Sequence, residues 1–198
     1  MIKYIDISFL GVFILMTITL FLALLFGKLR GGKLYNLTNL YIKKWYLLAL
    51  SFSIQILSLL LAAKANGQIG VYIIRNFPYI HLLIYLLFIT ALAFNWSESG
   101  FRIALLGSIS NFLPILLNGG KMPVSINALR LANLYTKISL LDEGRILTHT
   151  LMDKSTKLVL LCDIIPLPGP LSNVISLGDI LISAGIFYLI QCKMTETP

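Results

Sequence analysis

The chain has 198 residues, of which 58% are hydrophobic and 12% charged, and its mean hydropathy is +0.88. Soluble domains are about half apolar and about one-quarter charged, so that class is excluded, as is disorder, which needs low hydrophobicity. The net charge of +8 invites a nucleic-acid reading, but these Lys and Arg flank apolar runs, where they report membrane orientation instead. The composition is that of an integral membrane protein partnered by the lipid bilayer, with no nucleic acid.

A spanning helix uses about 20 apolar residues. The first run, Ile7 to Phe26, carries no charge and ends in Gly27-Lys28-Leu29-Arg30. It is longer than a signal core and lacks a small-residue cleavage site, so a retained helix is expected. The second, Trp45 to Ala63, opens with Lys43-Lys44 and an interfacial aromatic pair, Trp45-Tyr46. The third runs from Pro78 to Phe94, the fourth from Phe101 to Leu117 with Pro114 inside it, and the last from Val174 to Ile190. The expected fold class is therefore all-α, a polytopic helical membrane protein. Its five spans, 7–26, 45–63, 78–94, 101–117 and 174–190, form a single membrane domain over 1–198, with an interfacial or re-entrant segment at 118–173.

The first loop carries Lys28, Arg30, Lys33, Lys43 and Lys44 and no acid. By the positive-inside rule it faces the cytoplasm, which places the N-terminus outside, the C-terminus inside and residues 118–173 outside. Within that segment, Ser125 is positioned to cap a short helix over Ile126–Tyr135, Leu141-Asp142-Glu143-Gly144 reads as a turn, and a mixed helix is expected near Ile146–Lys157. The apolar run Leu158–Ile165 is too short to span. Pro166-Leu167-Pro168-Gly169-Pro170 stops it and favours an extended chain, giving a re-entrant or surface-buried hairpin.

Polar groups inside apolar runs are costly, so their placement is informative. Ser51, Gln55 and Ser58 share one helix face, as do Ser108, Asn111 and Asn118, and as do Ser176, Asp179 and Ser183. Such stripes serve either interhelical adhesion or the lining of a pocket. Pro114 predicts a kink by removing the amide that would bond the Ser110 carbonyl. His81 and Tyr85, one turn apart, read as an interfacial anchor; the only other histidine, His149, is not at ligand spacing, so no metal site is expected. Cys162 and Cys192 are expected as free thiols towards opposite faces.

Three segments remain as candidates for chemistry. Ser176-Leu177-Gly178-Asp179 has capping-box spacing. A helix capped there and ending at Ile190 spans only about 22 Å, short of a ~30 Å core; either it starts at Asn173 with Asp179 inside the bilayer edge, or the entry is a cavity. Asn118-Gly119-Gly120-Lys121 ends a helix, and its glycines are either a left-handed cap or an anion nest to which Lys121 adds charge. Asp163 sits in an apolar run and needs a partner, for which Lys121 is a candidate.

Arg30-Gly31-Gly32-Lys33-Leu34, Asn118-Gly119-Gly120-Lys121-Met122-Pro123-Val124-Ser125, Asp163-Ile164-Ile165-Pro166-Leu167-Pro168 and Ser176-Leu177-Gly178-Asp179 occur in that order. Together they resemble a family of small bacterial integral membrane proteins known as a domain of unknown function. The resemblance spans nearly the whole chain, and the Asn118–Ser125 octet is its most specific part. It implies a bacterial cytoplasmic membrane location and a multi-helix fold with one structured extramembrane segment, and it implies no activity. A narrower resemblance is to intramembrane aspartyl peptidases, which carry Gly-x-Gly-Asp and a second Asp on another helix. Here Ser176 stands at the first glycine, and Asp163 lies on a short loop-like run.

The leading expectation is a non-enzymatic component that binds or conveys a small or lipid-linked ligand at the outer helix ends, without a cofactor. Its ligand-binding candidates are Asn118, Gly119, Gly120, Lys121, Asp163, Ser176 and Asp179, with Lys121 neutralising an aspartate or holding an anionic headgroup. The alternatives are a structural or accessory subunit with a membrane-protein partner, and an intramembrane hydrolase using Asp163 and Asp179 as a proton-sharing pair.

Overall fold

The apolar runs become five helices, each long and apolar enough to cross a membrane. In the computed structural model, which describes residues 7–63, 68–169 and 172–196, these are α1 (Ile7–Leu29), α2 (Trp45–Ala63), α3 (Gln68–Phe94), α4 (Ser99–Leu117) and α7 (Leu177–Thr195). The all-α polytopic class holds, with the largest changes of boundary in α3 and α7.

α3 begins at Gln68, well before Pro78, although a proline removes one helical hydrogen bond. Packing holds the helix together across it. Phe77 is fully buried against Ala62 and Leu147, and one turn past Phe77 the His81 Nδ1 donates to the Gly120 carbonyl at 2.8 Å. α7 starts at Leu177, because Asn173–Ile175 is a strand, and runs beyond Ile190 to Thr195. Its 19 residues rise about 28 Å, close to the ~30 Å of a hydrocarbon core, so the expected shortfall disappears. The polar residue past Ile190 is satisfied inside the bundle, with Gln191 Nε2 donating to the Ala23 carbonyl at 2.6 Å.

α4 and α7 cross at glycines. A Cβ on Gly107 would lie 2.6 Å from the Gly178 carbonyl oxygen, and one on Gly185 would lie 2.6 Å from the Gly100 carbonyl oxygen. Only hydrogen at these positions permits backbone contact, the usual route to tight packing between membrane helices. The basic first loop closes one end of the bundle. A 3-10 turn over Leu34–Asn39 is tied to the C-terminal end of α7 by Lys33 N to Met194 O at 2.8 Å and Asn36 Nδ2 to Met194 O at 3.0 Å.

The other end carries a small mixed cap. β1 (Met122–Val124) pairs in parallel with β2 (His149–Leu151), and β3 (Ile165–Leu167) pairs antiparallel with β4 (Asn173–Ile175). Between β1 and β2 lie α5 (Ile126–Leu131) and α6 (Tyr135–Asp142). The cap buries its own core of Val124, Leu129, Ile146 and Val174.

Ser125 caps α5 as expected, accepting from Ala128 N at 3.3 Å. The helix stops at Leu131, short of Tyr135, because Asn133 takes a left-handed conformation (φ 58°) and α6 starts afresh. The helix expected near Ile146–Lys157 is instead β2 and a turn. Met122 N bonds Thr148 O at 2.9 Å and Met152 N bonds Val124 O at 3.0 Å, so a strand from elsewhere claims the amides. The Leu158–Ile165 run divides between a 3-10 turn, Val159–Leu161, and β3.

Candidate functional site

The segments carrying Asn118–Lys121, Asp163 and Ser176–Asp179 all lie at the cap end, but their roles differ. Asn118 is fully engaged: its Nδ2 donates to the carbonyls of Pro114 (2.7 Å) and Lys157 (3.0 Å), and its Oδ1 accepts from Lys157 N at 2.9 Å. Gly119 and Gly120 are left-handed (φ 70° and 78°), and a Cβ on Gly120 would lie 2.6 Å from Pro78 Cβ. Here the glycines close α4 and let α3 approach. Lys121 is half-buried, and burial holds its ammonium below the usual lysine range. Among the described residues it makes no ion pair, so the expected neutralisation of Asp163 or Asp179 by Lys121 does not occur.

Asp163 finds other partners. Its backbone is stitched to the strand above it, with Asp163 N donating to Pro123 O at 3.1 Å and Ser125 N to Asp163 O at 2.9 Å. This turns the carboxylate inward, 4% exposed, with Oδ2 3.4 Å from His149 Nε2. The other ring nitrogen of His149 bonds Thr148 Oγ1 at 2.7 Å, which fixes the imidazole. Burial pushes the Asp163 carboxyl up to about 7, and the ammonium of Lys137 draws it back down. Lys137 is itself buried, its Nζ 3.4 Å from Asn173 Oδ1. The adjacent Cys162 is held up at about 11 by burial and by Asp163, so it stays a thiol at neutral pH.

Asp179 belongs to the cap of α7 and to more. Ser176 Oγ accepts from Asp179 N at 3.0 Å while Asp179 Oδ2 accepts from Ser176 N at 3.0 Å, completing the capping box. The other oxygen, Oδ1, accepts from Asn111 Nδ2 of α4 at 2.9 Å, and Ser176 Oγ lies 2.7 Å from Asn111 Oδ1. The stripes of α4 and α7 thus meet. The two serines of the α2 stripe bond within their own helix, Ser51 to Leu48 O and Ser58 to Gln55 O.

The β3–β4 register joins the two acids. Ile165 faces Ile175, so the chain two residues before Ile165 lies level with the start of α7. Asp163 and Asp179 are within electrostatic reach of each other and of Tyr85, whose hydroxyl bonds Asn111. The resulting cluster comprises two carboxyls, a lysine, a histidine, a phenol and an amide, all at the boundary between cap and spans. Two like charges within reach of each other do not readily ionise together.

Sequence reasoning placed Asp163, Ser176 and Asp179 here and missed Tyr85, Lys137 and His149 as members. Lys137 stands between the helix expected to end at Tyr135 and the turn expected at Leu141–Gly144, in a stretch with no element of its own, and the partner of His149 lies 14 residues on, just before β3. Only Asn111, already on a polar stripe, carried a usable signal.

The chain is 30% identical over 183 residues to an uncharacterized protein of Thermotoga maritima, an alignment covering 90% of this chain and 92% of that one. No solved structure matches it. Residues 39–191, which include the whole cap and every member of the polar cluster, match the family of unknown function DUF5317, and the chain belongs to that family.

Proposed function

We propose that the protein binds the polar group of a small or lipid-linked ligand at the cap ends of α3, α4 and α7, with Asp163 and Asp179 as its contacts. One observation carries this reading: Asp163, Asp179 and Lys137 are buried together at 4%, 7% and 3% exposure. Burying charge costs several kcal/mol per ion, and an apolar cluster of similar volume is often as stable, so such groups mark functional sites. Lys121 is a separate contact at the rim, suited to an anionic headgroup. The basic first loop supports a bacterial cytoplasmic membrane orientation with the N-terminus and cap outside and the C-terminus inside.

The test uses protein purified in detergent and challenged with total lipid extract of the expressing cells. Wild type is expected to melt at higher temperature with the extract and to carry a copurifying amphiphile. Asp163→Asn and Asp179→Asn, each with unchanged helix content, are expected to lose both. Retention of both effects by both variants would refute the site.

The coupling of Asp163 to Asp179 favours a second reading, hydrolysis. A carboxylate can take a proton from water while its protonated neighbour gives one to the leaving group. That reading requires a turnover lost in each single variant.

A further inference from the structure

Leu158, Val159 and Leu160 form an apolar knuckle on the side of the cap, and Leu160 is 78% exposed. Solvent-facing leucines on a three-residue turn are unusual unless something apolar covers them. The knuckle is also held rigidly. Leu158 adopts a left-handed conformation (φ 55°), which a leucine rarely takes without surrounding constraint. The constraint is visible on both flanks. Asn118 clamps Lys157 through both its backbone groups, while Leu161 N (2.8 Å) and Cys162 Sγ (3.4 Å) both bond the Leu158 carbonyl.

Position and charge identify what covers it. The turn packs against α4 and α7, and the last turn of α4 exposes Leu116 and Leu117 on the surface that faces lipid in a membrane span. The knuckle therefore continues a lipid-facing surface around the rim of the bundle. Lys157 precedes it directly, and Lys121 leaves the same clamped turn, its half-buried ammonium without a carboxylate among the described residues. Apolar residues flanked by lysines whose stems run along apolar surface form the pattern of an interfacial anchor.

We propose that the Leu158–Leu160 knuckle inserts into the bilayer beside the cap and that Lys121 holds the phosphate of a phospholipid packed against it. The occupant is lipid and not a second protein, and this site is separate from the buried acid cluster. It fixes the cap down on the membrane, and, resting on the ligand reading of the acid cluster given above, it lets amphiphiles meet that cluster from the bilayer.

The experiment places a single indole on the knuckle, Leu160→Trp in a Trp45→Phe, Trp96→Phe background; both native tryptophans lie at the opposite end, Trp45 at the start of α2 and Trp96 in the turn after α3. The protein is reconstituted in vesicles of phosphatidylcholine and phosphatidylglycerol, brominated on the acyl chains of one lipid or the other. The indole is expected to lose about half its emission to brominated chains and little to aqueous acrylamide. Phosphatidylglycerol is expected to quench preferentially, and Lys121→Gln to lower that preference about fivefold. Quenching by acrylamide but not by brominated lipid overturns the insertion. Equal quenching by the two lipids, or a preference unchanged by Lys121→Gln, overturns the phosphate contact. Should the indole impair folding, bimane on Leu160→Cys in a Cys192→Ser background reads the same depth through spin-labelled lipid, with the same two outcomes.

Discussion

Asp163 sits at about 7 where an unperturbed aspartate sits at 3.8, with burial as the main cause. The folded protein therefore keeps a proton that the unfolded chain gives up. Stability from this group is fully present below about pH 4 and is lost as pH rises through about 7. The groups facing it are His149, Lys137 and Asp179. Melting temperatures in detergent between pH 5 and 8 are expected to fall with rising pH in wild type and to fall less steeply in Asp163→Asn. Parallel curves would show that Asp163 shares its proton equally with the unfolded chain. The acid itself was legible as an oddity in an apolar run. Its partners were not: Lys121 recommends itself only by lying on the same side of the bilayer, whereas Lys137 and His149 reach Asp163 through the folding of α6 and β2.

Helix contacts in a bilayer depend on how closely two backbones approach, since apolar side chains gain little by leaving lipid for one another. The crossing of α4 and α7 is the closest example here, with Gly107 against Gly178 and Gly185 against Gly100. Gly107→Ala is expected to cost more than about 2 kcal/mol, because the added methyl meets a carbonyl oxygen and not a movable side chain. The measurement is the denaturant or thermal midpoint in detergent, with Gly31→Ala as the comparison: no atom stands within 4 Å of a Cβ there, and only its left-handed φ resists. At this scale the five spans were readable because continuous apolarity needs no partner to be recognised. The three-residue strands were not, because the alternation signal of a strand needs more residues than these contain, and the partner of β2 precedes it across two short helices. The Asn173–Ile175 stretch shows the same limit. It reads as the first turn of the last helix, yet it pairs with β3, and Ser176 supplies the true start.

Taken as a whole, the molecule has two unlike ends. One is a basic loop bound to the last turn of α7; the other is a folded cap with its own core, meeting the bundle in a layer of buried ionisable groups. Lys33 and Lys121 stand at opposite ends, so membrane-impermeant labelling of Lys33→Cys and Lys121→Cys in intact cells is expected to modify only the latter. Labelling of both from the same compartment would contradict a spanning arrangement, and labelling of Lys33→Cys alone would invert the orientation.

The bond from Asn111 to Asp179 has a bearing on how the chain is made. Asn111 enters the translocon with α4, while the carboxylate that accepts its amide is 68 residues further along. At about 5–20 residues per second of synthesis, that helix waits roughly 3–14 s with its carboxamide lacking Asp179 and only Tyr85 of α3 at hand. Unaided release into lipid during that interval would be costly, so α4 has reason to linger beside the insertion machinery until α7 emerges to join it.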